Sequence, residues 1–123
     1  LIADVGRLQI DLHAAREVLR ETGGLFDELA ARAAAAGGFT AEDSARASVA
    51  VAEAKVLTTR IALEASEKLF ELAGSSATRA AHHLDRHWRN ARVHTLHDPV
   101  RWKYHLLGNY LLNGALPRRH QWN

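Results

Sequence analysis

The sequence of 123 residues predicts an all-α protein, a four-helix bundle. Apolar residues recur at steps of three or four over long segments, which is the spacing of one helix face. No segment shows the sustained alternation of a half-buried strand, and only two prolines are available to interrupt helices. The length suits one domain around one core.

The first predicted helix occupies the N-terminal segment. Its apolar stripe runs from Ile2 to Leu19 and is interrupted at Gly23-Gly24. The stripe then resumes as far as the alanines at 33–36. Gly37-Gly38 follows, and glycine is the residue that most often closes a helix.

The second predicted helix is unusually long. Thr40 is a candidate N-cap, and Glu42 and Asp43 lie in the first turn, where the helix dipole favours negative charge. Nothing interrupts the helix from Ala41 to Ala73, and Gly74 ends it. At about 1.5 Å per residue the helix spans roughly 50 Å. Alanines lie on several of its faces, which predicts a central helix that also packs across a subunit interface.

Two shorter helices complete the predicted bundle. The third runs from about Ala77 to His94. The fourth begins at Pro99, because proline fits the first position of a helix, and ends near Asn113-Gly114.

The composition narrows the class of protein. The chain has no cysteine, which excludes disulfides and thiolate chemistry and makes a reducing cytoplasm the expected location. No apolar run approaches the roughly 18–20 residues of a membrane span. The chain also lacks methionine, and Leu1 opens inside an apolar-periodic segment, so we expect further sequence before Leu1.

Charge is divided unevenly along the chain. Residues 1–78 hold 8 Lys/Arg and 12 Asp/Glu, whereas residues 79–123 hold 8 Lys/Arg, 2 Asp/Glu and 7 of the 8 histidines. A basic C-terminal third predicts contact with an anion or with an acidic surface of a partner.

The segment from Leu84 to Asn109 is the strongest candidate for a functional site, because arginines, histidines and two tryptophans cluster around one Asp-Pro step. Asp98 is expected to cap the helix that Pro99 begins. His97 would then lie beside the positive end of that helix, which favours a neutral imidazole. His94, three residues earlier, can share its face.

Other interpretations of the histidines concern metals. His94, His97 and Asp98 could bind a metal, as could His83 with His87. Two ligands without a clear third form a weak site, so the sequence predicts no metal.

The arginines of the same segment repeat every three residues, at Arg86, Arg89 and Arg92. They form either a solvated face opposite a buried Trp88 or a face that binds acidic groups or a phosphate. A nucleic-acid interface is a further alternative, but the segment lacks helix-turn-helix spacing.

The turn Gly74-Ser75-Ser76 is a second candidate site. A small, hydroxyl-bearing turn before a helix N-terminus can bind a phosphate through backbone N–H and hydroxyl groups. The same residues also serve as an ordinary helix cap.

The segment LFELAGSSATRAAHHLDRHWRNARVHTLHDPVRWKYHLLGN resembles the C-terminal helical domain of the acyl-CoA dehydrogenase superfamily. It is most similar to the flavin-dependent monooxygenase branch that includes dibenzothiophene monooxygenases. Arg89-Asn90-Ala91-Arg92 matches an RDAR-like run of the dehydrogenases. Where many dehydrogenases have a Glu-Gly pair with the catalytic base, this chain has His97-Asp98, within the HTLHDP pattern of the monooxygenases.

The resemblance implies a reaction between O2 and a small-molecule substrate that uses reduced flavin. The flavin would be FMN or FAD, and a separate reductase would supply it in reduced form. The resemblance implies that Ser75 and Ser76 lie near the flavin phosphate and His97 near the flavin ring. The position of His94 in the same segment makes it the second catalytic candidate. The resemblance also implies a homo-oligomer, a tetramer, and N-terminal helical and middle β domains outside this chain. The 123 residues alone are therefore expected to be inactive.

Two alternatives remain at this point. One is an acyl-CoA dehydrogenase with an atypical base. The other is a non-catalytic helical module for oligomerisation or nucleic-acid binding.

Overall fold

The computed structural model describes residues 1–118 and confirms the all-α prediction, with four helices and no strand in that range. The helices are α1 (Ile2–Ala36), α2 (Ala41–Ala73), α3 (Asp85–His97) and α4 (Val100–Asn113), and two 3₁₀ turns, Ser75–Thr78 and Ala80–His82, lie between α2 and α3. None of the helices described is both long and apolar enough to cross a membrane.

Helix α2 is the centre of the bundle, as its many alanines predict. The other three helices each pack against it. Its buried side chains are mostly small, so the neighbouring backbones can approach closely on several sides: Ala45, Ala52, Ala54, Val56 and Ile61 are buried. In α1, Leu29 is the largest fully buried side chain, with 1% of its surface exposed. The core is therefore built from small contacts around one long helix.

The connection between α1 and α2 follows the sequence signals closely. Gly37 ends α1 in the left-handed conformation, at φ 81°. The Thr40 side chain accepts from the backbone N–H of Asp43 at 3.1 Å, and the Asp43 carboxylate accepts from the Thr40 N–H at 2.9 Å, a capping box. Asp43 is buried and also forms an ion pair with Arg32 of α1. The predicted cap is confirmed, and it ties the two long helices together.

The interruption predicted at Gly23-Gly24 is wrong, because α1 is continuous through both residues. Each glycine costs about 1 kcal/mol relative to alanine in a helix interior. Packing of buried residues before and after the glycine pair offsets that cost. Thr22, just before the pair, is buried, and its hydroxyl lies 3.3 Å from the Ala50 carbonyl of α2.

The third helix starts later and ends later than predicted. Gly74 ends α2 as expected, but residues from Ser75 to His82 form 3₁₀ turns, and α3 spans Asp85–His97. The Thr78 hydroxyl donates to the Ser75 carbonyl at 2.7 Å, the kind of local bond that competes with a regular helix. Ala77, the predicted first residue, is instead buried in the first turn.

Candidate functional site

The junction between α3 and α4 brings together three charged side chains, one buried and two partly buried. Only Asp98 and Pro99 separate the two helices. The Asp98 carboxylate accepts a hydrogen bond from Lys55 Nζ of α2 at 2.6 Å, and its Oδ2 lies 3.2 Å from Lys103 Nζ of α4. The side chains of Asp98 and Lys55 are each 20% exposed, and that of Lys103 is 5% exposed. We call these three residues the ion cluster.

The ion cluster corrects the role predicted for Asp98. Asp98 does not cap α4, because Pro99 occupies the N-cap position and no side chain makes a capping hydrogen bond there. Burial by itself would raise the pKa of the Asp98 carboxyl. The hydrogen bonds and charges of Lys55 and Lys103 outweigh burial and lower that pKa, so the carboxylate stays charged.

His94 and His97 lie in the last turn of α3, and both are exposed. His97 precedes the N-cap of α4 by two residues, as predicted, but it is also the final residue of α3, which the sequence did not predict. The free carbonyl groups at that end favour hydrogen-bond donors rather than acceptors. The two histidines are three residues apart and therefore lie side by side on the helix surface.

His94 also borders a cavity of about 420 Å³ between α1, α2 and α3. The wall of this cavity is largely apolar, with Lys55 of the ion cluster as its charged member. Its lining comprises Leu19, Thr22, Gly23, Phe26, Val51, Ala54, Lys55, Thr58 and His94. One predicted site residue and one residue of the ion cluster thus face the same space.

Ser75 and Ser76 lie far from the histidines. Both are exposed in the first 3₁₀ turn, directly after α2. His94 shares the cavity with Thr58 of α2, and 17 residues separate Thr58 from Ser75, which is about 25 Å along the helix. Within one chain, the structure does not bring the serine turn and the histidines together.

The arginine face of α3 is mainly exposed to solvent. Arg89 Nε donates to Asp85 Oδ2 at 2.7 Å, one turn earlier on the same helix. Trp88, predicted to be buried, is exposed and borders a shallow cleft beside Phe70 of α2. In the described part of the chain, no group of three or more His, Cys, Asp and Glu side chains is placed to hold a metal ion.

Sequence reasoning missed Lys55 and Lys103. A signal for Lys103 was available, because it follows Val100 by three residues and precedes Leu106 and Leu107 by three and four. That spacing places a lysine on the apolar face of α4, where a charge requires a partner. No comparable signal marks Lys55, since its partner lies 43 residues further along the chain.

Comparison with known proteins identifies the family. The model of the acyl-CoA dehydrogenase C-terminal domain matches residues 1–102. The chain belongs to this family. The resemblance to its monooxygenase branch is also confirmed, because similar proteins include dibenzothiophene and methanesulfinate monooxygenases.

Solved structures share the fold of this acyl-CoA dehydrogenase C-terminal domain. Methanesulfinate monooxygenase MsuC from Pseudomonas fluorescens is 37% identical, with a TM-score of 0.90 over 99% of this chain and 31% of that chain. FMN-bound TdsC from Paenibacillus sp. A11-2 is 34% identical, with a TM-score of 0.90 over 99% of this chain and 30% of that chain.

The curated relatives are monooxygenases, as are the similar solved structures. A dibenzothiophene monooxygenase from Mycolicibacterium goodii is 35% identical over 116 residues, which are 94% of this chain and 27% of the relative. A probable FMNH2-dependent monooxygenase, SfnC from Pseudomonas putida, is 44% identical over 78 residues, 63% of this chain and 20% of the relative. The chain therefore spans less than a third of the length of these relatives.

Proposed function

We propose that this chain is the C-terminal helical domain of a two-component flavin-dependent monooxygenase, which oxidises a small molecule with O2 and reduced FMN from a separate reductase. The observation that carries the proposal is the match, over 99% of the chain, to a relative solved with FMN bound. FMN is favoured over FAD because a second relative is described as FMNH2-dependent. The absence of cysteine favours a cytoplasmic location.

His97, with His94 beside it, is proposed to contact the flavin ring and the substrate. Both imidazoles are exposed on one edge of α3, so a bound planar ring can reach them. When bound, reduced flavin supplies the electrons for oxygen activation. An imidazole N–H can donate a hydrogen bond to a bound group, so each histidine can hold a proton at a defined position.

The ion cluster argues against the dehydrogenase alternative. A dehydrogenase of this type needs a carboxylate base where this chain has His97-Asp98. Asp98 is already bound by Lys55 and Lys103, which lower the pKa of its carboxyl. A carboxylate held in this way is a poor proton acceptor at neutral pH.

Ser75 and Ser76 are proposed to contact the flavin phosphate, supported by their exposure and by the basic character of the chain after residue 78. About 25 Å along α2 separates them from the histidines, more than the length of one FMN. The serines and histidines could therefore meet the same flavin only if two copies of the chain contribute.

This requirement supports a homo-oligomer, for which we propose a tetramer. Apolar side chains on the outer faces of α1 and α4 offer contact surface, among them Ile2, Ile10, Leu111 and Leu112, each at least 70% exposed.

The proposed function is tested with the full-length protein, FMN, a flavin reductase and ¹⁸O2. Dibenzothiophene and methanesulfinate serve as trial substrates, because relatives are named for them. We expect one ¹⁸O atom in the product. Anaerobic oxidation of an acyl-CoA with an electron acceptor would instead show a dehydrogenase, and DNA binding that weakens steeply with salt would favour the nucleic-acid module.

The role of the histidines is tested in the same assay. His97→Ala should reduce product formation at least tenfold with an unchanged melting temperature. His87→Ala is the matched control, because His87 is an exposed histidine of α3 outside its last turn. Wild-type product yield in His97→Ala would remove His97 from the mechanism.

A further inference from the structure

The ion cluster is an expensive arrangement for stability alone. Replacing a buried ion group by apolar side chains of similar volume often leaves a protein equally stable or more so. In this cluster two lysines contact the same aspartate oxygen. A role other than stability is the better explanation for three charges at this point of the bundle.

The cluster lies at the shortest connection between any two of the α-helices in residues 1–118. The N-terminus of α4 has no side-chain capping bond, and Pro99 has no N–H to offer. Asp98 instead reaches Lys55 on α2 and Lys103 on α4. These two bonds attach the end of α3 to the central helix and to the start of α4.

The candidate histidines depend on that attachment. His94 and His97 lie in the last turn of α3, so the position of that turn sets where both imidazoles lie. His97 directly precedes Asp98, and His94 faces the same cavity as Lys55. A shift of the helix end would move both imidazoles together.

We propose that Asp98, held by Lys55 and Lys103, is a positioning residue that sets the location of His94 and His97 for the monooxygenase reaction. This inference rests on the proposed function for its catalytic consequence. Its structural part concerns only the end of α3 and can be measured without flavin.

The test uses the full-length protein and three variants. Asp98→Asn removes the negative charge, and Asp98→Asn/Lys103→Met also removes one positive charge, so that the repulsion between the lysines is relieved. Asp85→Asn is the matched control, because Asp85 is an exposed carboxylate at the other end of α3 with its own ion pair to Arg89. Amide hydrogen exchange of the flavin-free protein and steady-state kcat and KM for the oxygenation are measured for each.

Positioning predicts that Asp98→Asn accelerates exchange at residues 92–98 at least tenfold, while peptides from the α1–α2 core exchange as in the wild type. In the double variant, exchange at residues 92–98 is slower than in Asp98→Asn. Its kcat nevertheless stays at least tenfold below that of the wild type, and its KM changes less than threefold. Asp85→Asn should match the wild type in every measurement. A double variant with kcat within twofold of the wild type would overturn the proposal, since stability alone would then explain the cluster.

The outcomes also separate this proposal from the proposed function. If the wild-type protein forms no oxygenated product, the proposed function fails, and the exchange data still decide whether Asp98 fixes the end of α3. Wild-type exchange at residues 92–98 in Asp98→Asn would overturn the positioning role whatever the activity. If Asp98→Asn does not fold, the double variant supplies the same comparison with less repulsion.

Discussion

Lys103→Met tests whether the α3–α4 junction requires both lysine partners of Asp98 for its stability. Lys103 is 5% exposed and shares Asp98 with Lys55. Methionine is similar in length and apolar, so the substitution removes a buried charge with little change in volume. Asp98 keeps Lys55 as an ion-pair partner at 2.6 Å. We therefore expect the local stability at the α3–α4 junction to change by less than about 1 kcal/mol, or to rise.

The opposite substitution, Asp98→Asn, should cost far more. Both lysine Nζ atoms lie against the same oxygen, Asp98 Oδ2, at 2.6 Å and 3.2 Å, and are therefore within about 6 Å of each other. At an effective dielectric constant of about 20, two unit charges at 6 Å repel by about 3 kcal/mol. Solvent reaches Lys55 in part and screens some of this repulsion. The same repulsion exists in the wild type, where the attraction of both lysines to Asp98 outweighs it. Asp98→Asn leaves it uncompensated, and we expect a loss of about 2–3 kcal/mol in the free energy of opening the junction.

Hydrogen exchange detected by mass spectrometry measures this difference locally in the full-length protein. A change of 2–3 kcal/mol corresponds to roughly 100-fold faster exchange of the α3–α4 amides. Lys103→Met should stay within about fivefold of the wild type. The reasoning is refuted if Lys103→Met accelerates exchange as much as Asp98→Asn does, because both lysines would then be needed to balance the cluster.

Three further predictions concern the fold and its pH dependence. Leu29→Ala should destabilise the α1–α2 pair by about 2–5 kcal/mol, because Leu29 is 1% exposed, and a melting temperature equal to the wild type would contradict the assigned core. Thr40→Ala should cost about 1 kcal/mol and speed exchange in the first turn of α2, whereas Thr40→Ser should retain the cap. The lowered pKa of Asp98 stabilises the folded state above the ordinary carboxyl pKa of about 4, and this contribution is lost as the pH falls below it. Protection of the α3–α4 amides should therefore decline below about pH 4 in the wild type and not in Asp98→Asn.

The sequence predicted those parts of the fold that depend on neighbouring residues. Gly37, Gly74 and Gly114 each end a helix as expected, with positive φ values of 81°, 76° and 63°. Thr40 caps α2 with a partner three residues away. The start of α3 was missed because small and hydroxyl-bearing residues suit a helix, a cap and a 3₁₀ turn almost equally. Packing of Ala77 against the core, which the local sequence does not encode, accompanies the 3₁₀ turn.

Asp98 shows why the candidate site was harder to predict than the helices. An aspartate before proline normally caps the next helix, and only a distant partner can change that role. Its partners here come from α2 and from the buried face of α4, so the carboxylate is drawn inward between two ammonium groups. The roles of His94 and His97 therefore stay predictions, whereas the sequence motif assigned the aspartate to the wrong helix end. The position of the Asp98 carboxylate depends on its contact with Lys55, and that contact exists only once the bundle has formed.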